Sequence, residues 1–324
     1  MLWQSFFDLL IKKSAKTHNK SNSFCFFRIK HHKISMNLKT LLFLLLPTLF
    51  VFSQRKISIV DAENKQAIPY AKILFDKGNY RNTEPDGSIT ISPEEKITEI
   101  QAFGYENLKV DGFKNVFLLV PKTKEIEEIV LIRPKNTKQI TVGKIKREFP
   151  TYSYCASDHQ WTVLNFFEYK NTYFENTFIK IIRFSSKVEN IKNNAKINLV
   201  FYHNENGKPS TEVWKSIIIE CEPGKKVTEI DLRKQNITFP KEGLFIGFEW
   251  IINTENSFSE KVQYKYADGK KEMKMITTTN PFIYSQKSET ATIFVKSNLH
   301  PNQYEFKSND NKPRSLSIEL ELTD

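Results

Sequence analysis

Asp158 and His159 stand just before Trp161, with Tyr152 and Tyr154 close by, so a carboxylate, an imidazole and an indole fall within a few residues of one another. A carboxylate that orients an imidazole makes a general base, and an indole beside it can floor a sugar subsite. Adjacent residues on a strand point to opposite faces, however, so Asp158 cannot orient His159 merely by preceding it. A hydrolase acting on glycans or peptides would need Asp158, His159 and a further carboxylate such as Glu249 to converge in space. Trp214 and Trp250 add two rings that could stack on a sugar or anchor a peptide if exposed. Glu220 and Glu249 would be paired carboxylates if their strands set them face to face. Single acids alternating with apolar residues are also what a half-solvated strand produces.

Metal and cofactor chemistry finds little support. After residue 53 the histidines are His159, His203 and His300, and none has a glutamate three positions on. His203 and Glu205 share a strand face at a spacing of two but leave a zinc ligand set incomplete. There is no glycine-rich phosphate loop, Gly-x-Ser-x-Gly elbow or Cys-x-x-Cys pair, so no cofactor is expected. Cys155 and Cys221 are the thiols that follow the leader. A Cys155–Cys221 disulfide is compatible with an oxidising compartment, and two free thiols in separate strands fit equally well.

The elements that would carry these residues begin after an apolar leader. From Met36 one positive charge at Lys39 precedes an apolar run from Leu41 to Phe52 and small Ser53. That is the layout of a signal peptide over 36–53, with cleavage expected after Ser53, and the run is short for a membrane span. Residues 1–35 form a basic stretch before an already complete leader, as an upstream mis-start or an extended leader would. The first 53 residues hold eight Lys or Arg against Asp8, leaving 40 basic and 36 acidic residues beyond them. These are scattered rather than gathered, so no nucleic-acid footprint is expected.

From Arg55 the run Lys-Ile-Ser-Ile-Val-Asp alternates as a half-buried strand does, and a second strand is expected from Pro69 to Phe75. Glu84-Pro85-Asp86-Gly87 reads as a tight turn. Further strands are expected over 88–92, 97–102, 108–110 and 116–120, the rhythm of a β-sandwich. Val60-Asp61, Ile68-Pro69-Tyr70-Ala71, Thr83-Glu84-Pro85-Asp86-Gly87, Phe103-Gly104-Tyr105, Leu118-Leu119-Val120-Pro121 and Ile126-Glu127-Glu128-Ile129-Val130-Leu131 occur in that order. In this ordered set, residues 54–132 resemble the carboxypeptidase regulatory-like domain. The resemblance implies a transthyretin-like sandwich of about seven strands, an accessory module without catalytic residues of its own. Such modules accompany secreted metallocarboxypeptidases and head many TonB-dependent receptors. A receptor would still need a plug and a barrel, for which about 190 residues are too few.

Residues 133–150 are basic, bounded by Pro134 and Pro150 and broken by Gly143, and read as a solvated linker. Over 151–324 strands recur, with turns at Asn206-Gly207, Pro223-Gly224 and Asp268-Gly269, which suggests a jelly-roll-like antiparallel sandwich. Phe166, Phe167, Tyr169, Tyr173 and Phe174 fit its core. Gly207-Lys208-Pro209, Glu229-Ile230-Asp231-Leu232, Ile237-Thr238-Phe239-Pro240 and the run Gly243 to Trp250 resemble the β-sandwich that follows a regulatory-like domain in exported bacterial proteins of unassigned activity. The expectation is thus an all-β, non-enzymatic binding or assembly protein, exported to the periplasm, outer-membrane surface or exterior. Its partner would be an envelope protein or glycan, and no transmembrane span is expected after the leader. The rival expectation is the hydrolase built on Asp158, His159 and Glu249.

Overall fold

A computed structural model describes residues 54–122, 134–146, 150–157, 161–175, 177–266, 268–290, 292–297, 300–305 and 312–324. Among these the chain is all-β, with a single 3-10 turn at Arg233–Gln235 as its only helical element. The first module has seven strands: β1 (Arg55–Asp61), β2 (Lys72–Phe75), β3 (Tyr80–Asn82), β4 (Ser88–Ile91), β5 (Ile97–Gln101), β6 (Leu108–Lys109) and β7 (Val116–Leu119). They form two sheets, ordered β4-β1-β7 and β3-β2-β5-β6, with β1 and β7 parallel. Alternation along each strand sends Ile57, Ile59, Phe117 and Leu119 inward from one sheet to meet Ile73, Phe75 and Ile100 from the other. These seven strands match the sandwich that the resemblance implies, and β3 is the one that alternation does not single out.

Two turn regions show how local chemistry sets this module. Gly87 closes the Glu84–Gly87 turn, donating its N–H to the Glu84 carbonyl at 2.9 Å. At φ +71 it lies where a Cβ would press on the Ile59 carbonyl oxygen at 2.9 Å, so glycine is required on both counts. The strand expected from Pro69 begins later, at Lys72, because Tyr70 adopts φ 57 and the chain turns there. Asn82 holds that turn by donating its side-chain amide to the Tyr70 carbonyl at 2.8 Å.

The second module continues with β8 (Gln139–Gly143), β9 (Tyr152–Ala156), β10 (Thr162–Phe167), β11 (Phe178–Val188), β12 (Ala195–Glu205), β13 (Lys208–Pro209), β14 (Lys215–Cys221) and β15 (Gly224–Asp231). There follow β16 (Leu244–Trp250), β17 (Ser257–Lys265), β18 (Lys271–Lys287), β19 (Ile293–Ser297), β20 (His300–Glu305), β21 (Arg314–Leu316) and β22 (Ile318–Thr323). One sheet runs β13-β12-β16-β10-β19-β20, with β14 also on β12. The other runs β17-β18-β11-β22-β8, with β15 on β11 and both β9 and β21 on β18. Their facing side chains, among them Phe184, Phe201, Phe248, Trp250 and Leu320, make one continuous core. Strand β16 is buried along its whole length because both of its faces are covered.

The basic stretch 133–150 is not solvated linker throughout. Gln139–Gly143 forms β8 and pairs antiparallel with β22, with Ile140 and Val142 packed on the core. Alternation in Gln-Ile-Thr-Val-Gly is enough to dock an edge strand despite the surrounding charge. Asp324 secures the entry to that strand by accepting the Thr137 and Lys138 amides at 2.8 and 3.0 Å.

Ser53–Asp324 is a single compact unit that contains all the described strands and their hydrophobic cores. The two sandwiches are joined through β3. Tyr80 enters the core of the second module and donates its hydroxyl to the Trp250 carbonyl at 3.0 Å. Asn82 follows, its amide bonding the Ile252 carbonyl at 2.7 Å while its side-chain oxygen accepts from the Ile252 amide at 2.9 Å. Glu84 then accepts the Thr254 amide at 2.9 Å. Such alternate main-chain and side-chain bonding satisfies the backbone at the junction, although the Asn253 side-chain amide nitrogen beside it has no partner among the described residues.

Candidate functional site

The register of the central strands places a row of side chains straight across one sheet. Thr162 lies opposite both Glu249 and Lys296, and Asn198 opposite both Glu249 and Ile218. Because residues in register share a face, Ile218, Asn198, Glu249, Thr162 and Lys296 project together toward the first module. They form part of the floor of a cleft of about 700 Å³, whose opposite wall carries Tyr70, Lys72, Gln101, Phe103 and Tyr105. The cleft therefore lies between the modules, where ligand sites often form.

Charge in the cleft is balanced and already engaged. Lys72, Lys122 and Lys296 face Asp61, Glu212 and Glu249 among its lining residues. Lys72 reaches from β2 to Glu249 at 2.7 Å, with both side chains largely buried. Thr162 donates a second, weaker bond to Glu249 at 3.3 Å. Lys296 donates to the Thr211 carbonyl at 2.9 Å and lies over the Tyr202 ring at 4.9 Å. Burial lowers its pKa, against the pull of Glu249 and with the push of Lys72. Burial and the Glu249 charge together hold the Tyr202 and Tyr80 phenols above their usual range, so both remain neutral donors. Asp61 accepts the Glu63 and Asn64 amides and the Tyr105 hydroxyl, an Asx turn that holds its carboxyl below the ordinary value.

What remains uncommitted in the cleft is uncharged. Gln66, Asn107, Asn198 and Ser216 have no side-chain hydrogen bond to another described residue. Phe103 is half exposed at the rim beside Tyr105. Carboxamides that can donate and accept, next to aromatic faces, suit a ligand rich in hydroxyl groups.

The residues singled out from sequence fare differently. Asp158 and His159 lie outside the described residues. Trp250 is fully buried and donates its indole N–H to the Pro281 carbonyl at 2.7 Å, so its ring is core and not a binding platform. Trp161 and Trp214 are half-buried against the same core, and the Trp214 ring packs on His203 at 4.5 Å with the planes tilted by 40°. Phe167 and Tyr173 are buried as expected, with Phe166 and Tyr169 partly so. Glu249 does belong to the site, but it meets Lys72 and not Glu220. The latter stands in register with Lys196 and accepts from Asn194 at 3.1 Å. Register, not strand pattern, decided which carboxylate reaches the cleft.

Cys155 and Cys221 are both free, which corrects the bridged alternative. Cys221 is buried, and desolvation pushes its thiol up to about 11, although Ser186 and Thr228 pull the other way. Burial also raises the half-buried Cys155 thiol. Alkylation of the Ser53–Asp324 unit at neutral pH should leave Cys221 unmodified, and unfolding should open Cys221 to the label with no reductant present. An intact mass two hydrogens short of the dithiol form would contradict this.

No family model matches the sequence. No curated protein matches it either. Among solved structures the chain is similar to a variant of the clostridial cysteine protease Cwp84 after propeptide cleavage, at 12% identity over 76% of this chain and 51% of that one, with a TM-score of 0.39. It is also similar to the cysteine protease and lectin-like domains of Cwp84, a surface layer associated protein of Clostridium difficile. That alignment has 12% identity over 76% of this chain and 45% of the other, with a TM-score of 0.36. The chain spans about half the length of the chains it matches. Overlap this low carries no argument about activity or site. Among the described residues no group of three or more potential ligands could hold a metal ion, and no helix is long and apolar enough to cross a membrane.

Proposed function

We propose that the chain is an exported binding protein that holds a neutral, polyhydroxylated ligand, a glycan strand of the cell envelope, in the cleft between its two sandwiches. The observation that carries this reading is the division of labour in the cleft. Its buried charges are engaged within the protein, while carboxamides and a serine hydroxyl are left for a ligand and the Phe103 ring is half exposed at the rim. A charged ligand that reached the floor of the cleft would compete with the Lys72–Glu249 pair, at a cost that a neutral one avoids. In this reading the first sandwich, whose seven strands support its resemblance to a regulatory-like domain, supplies one wall of the site. The apolar segment 36–53 directs export.

Probing an array of neutral and acidic glycans with the Ser53–Asp324 unit tests the reading. Neutral oligosaccharides should bind, and Asn198→Ala with Phe103→Ala should weaken binding by about tenfold or more, since one hydrogen bond and one stacking contact are each worth about 1 kcal/mol. Binding confined to strongly acidic glycans, or unaffected by both changes, would sink it. Release of shortened products during incubation would favour a hydrolase.

A further inference from the structure

We propose that the outer part of the β17–β18 hairpin is a docking arm for an anionic membrane surface. This is independent of the cleft reading. The two strands pair without a bulge from Ser257 opposite Thr279 to Lys265 opposite Lys271. Beyond Thr279, β18 continues into the sandwich, where it pairs with β9, β11 and β21. Over 271–278 its one strand partner among the described residues is β17, which itself has no second partner. The outer hairpin is therefore a two-stranded ribbon, with most of its side chains exposed.

Its two faces differ in chemistry. Register puts Lys261 opposite Met275, Gln263 opposite Met273, and Lys265 opposite Lys271, all on one face. Met273 and Met275 are 58% and 61% exposed, among the most exposed large apolar side chains of the described residues. No acid shares that face of the strands. Glu260 and Glu272 lie on the other one, where Glu272 accepts the Tyr266 hydroxyl at 2.7 Å and Lys274 sits over the Tyr264 and Tyr266 rings at 5.1 and 4.8 Å.

Lysines that only deterred edge pairing would have no reason to gather around two exposed methionines on an acid-free face. Three ammonium groups around two flexible, exposed apolar side chains complement a layer of lipid phosphates. The lysines engage the headgroups while the methionines reach the acyl boundary. A shaped protein partner would be better met by a groove or a rigid aromatic anchor.

Cosedimentation of the Ser53–Asp324 unit with vesicles tests this. Vesicles of phosphatidylcholine with about one-third phosphatidylglycerol should bind the protein, and phosphatidylcholine alone should not. Lys261→Glu, Lys265→Glu and Lys271→Glu together should weaken binding on the order of a hundredfold, at about a factor of five for each lysine. Met273→Ser with Met275→Ser should weaken it severalfold. All five positions are exposed, so the thermal transition should not move, and a matching transition verifies that each variant is folded. Absence of binding to the anionic vesicles, or equal binding by the charge-reversed variant, overturns the proposal. So does a ribbon-dependent affinity for an acidic peptide in protein that ignores vesicles, which would make the partner a protein.

Discussion

Gly247→Ala is expected to be the most damaging single substitution outside the turns, costing more than about 4 kcal/mol and abolishing a cooperative unfolding transition of the second sandwich. Gly247 lies mid-strand in β16, opposite Leu164 of β10 and Val200 of β12. A Cβ there would be driven into the Val163 carbonyl oxygen and would lie 2.7 Å from the Leu164 Cα. Both obstacles are backbone atoms of a central strand, so neither can swing aside, and relief would require β10 and β16 to separate. Gly112→Ala provides the contrast. Its φ is +79 but nothing lies within 4 Å of the added carbon, so only the backbone term of about 1 kcal/mol applies. Urea unfolding of both variants measures the difference, and equal midpoints would contradict the packing described for β16.

Lys72→Met is expected to destabilise the protein by about 3 kcal/mol, because it leaves the Glu249 carboxylate largely buried without its cation. The lysine comes from the first sandwich and the glutamate from the second, and their side chains are 16% and 10% exposed. Solvent screening is therefore slight. Changing both residues, Lys72→Met with Glu249→Leu, should recover most of the loss, since a well-packed apolar pair escapes the desolvation penalty that the ion pair carries. A double variant as unstable as the single one would mean that the pair positions the modules in a way that apolar packing cannot replace. A single variant within about 0.5 kcal/mol of the parent would mean that water reaches Glu249 freely.

Several strands with a buried face were legible in the sequence, and the ribbon with neither face buried was not. Ile57 and Ile59 alternate with polar residues in β1, and β16 is a continuous apolar run, so both stand out by periodicity. Strand β17 and the outer part of β18 carry lysines and polar residues on one face and a mix of charged, aromatic and aliphatic residues on the other, with neither face fully buried. Of that ribbon only the Asp268-Gly269 turn carried a recognisable signal. Strand β8 was hidden by its basic neighbours, although Ile140 and Val142 alternate within it.

The site was less legible still. Glu249 was visible as an acid in an apolar strand, but its partner Lys72 lies far away in the chain. No local pattern reveals that Asn198, Thr162 and Lys296 stand in one row with it. Tryptophans drew attention by residue type, yet packing made Trp250 a core residue and left the cleft rim to Phe103 and Tyr105. The exposed rings of a site cannot be told from core rings by type alone.

The most direct test of a cleft that binds neutral glycan is a titration of the isotopically labelled Ser53–Asp324 unit with neutral tetrasaccharides, followed by amide and side-chain NMR shifts. The account predicts saturable changes centred on Asn198, Thr162, Phe103 and Tyr105, with the β14–β15 hairpin tip and the β17–β18 ribbon unmoved. Saturable changes confined to the ribbon or to another face, or none with any neutral tetrasaccharide, would contradict it.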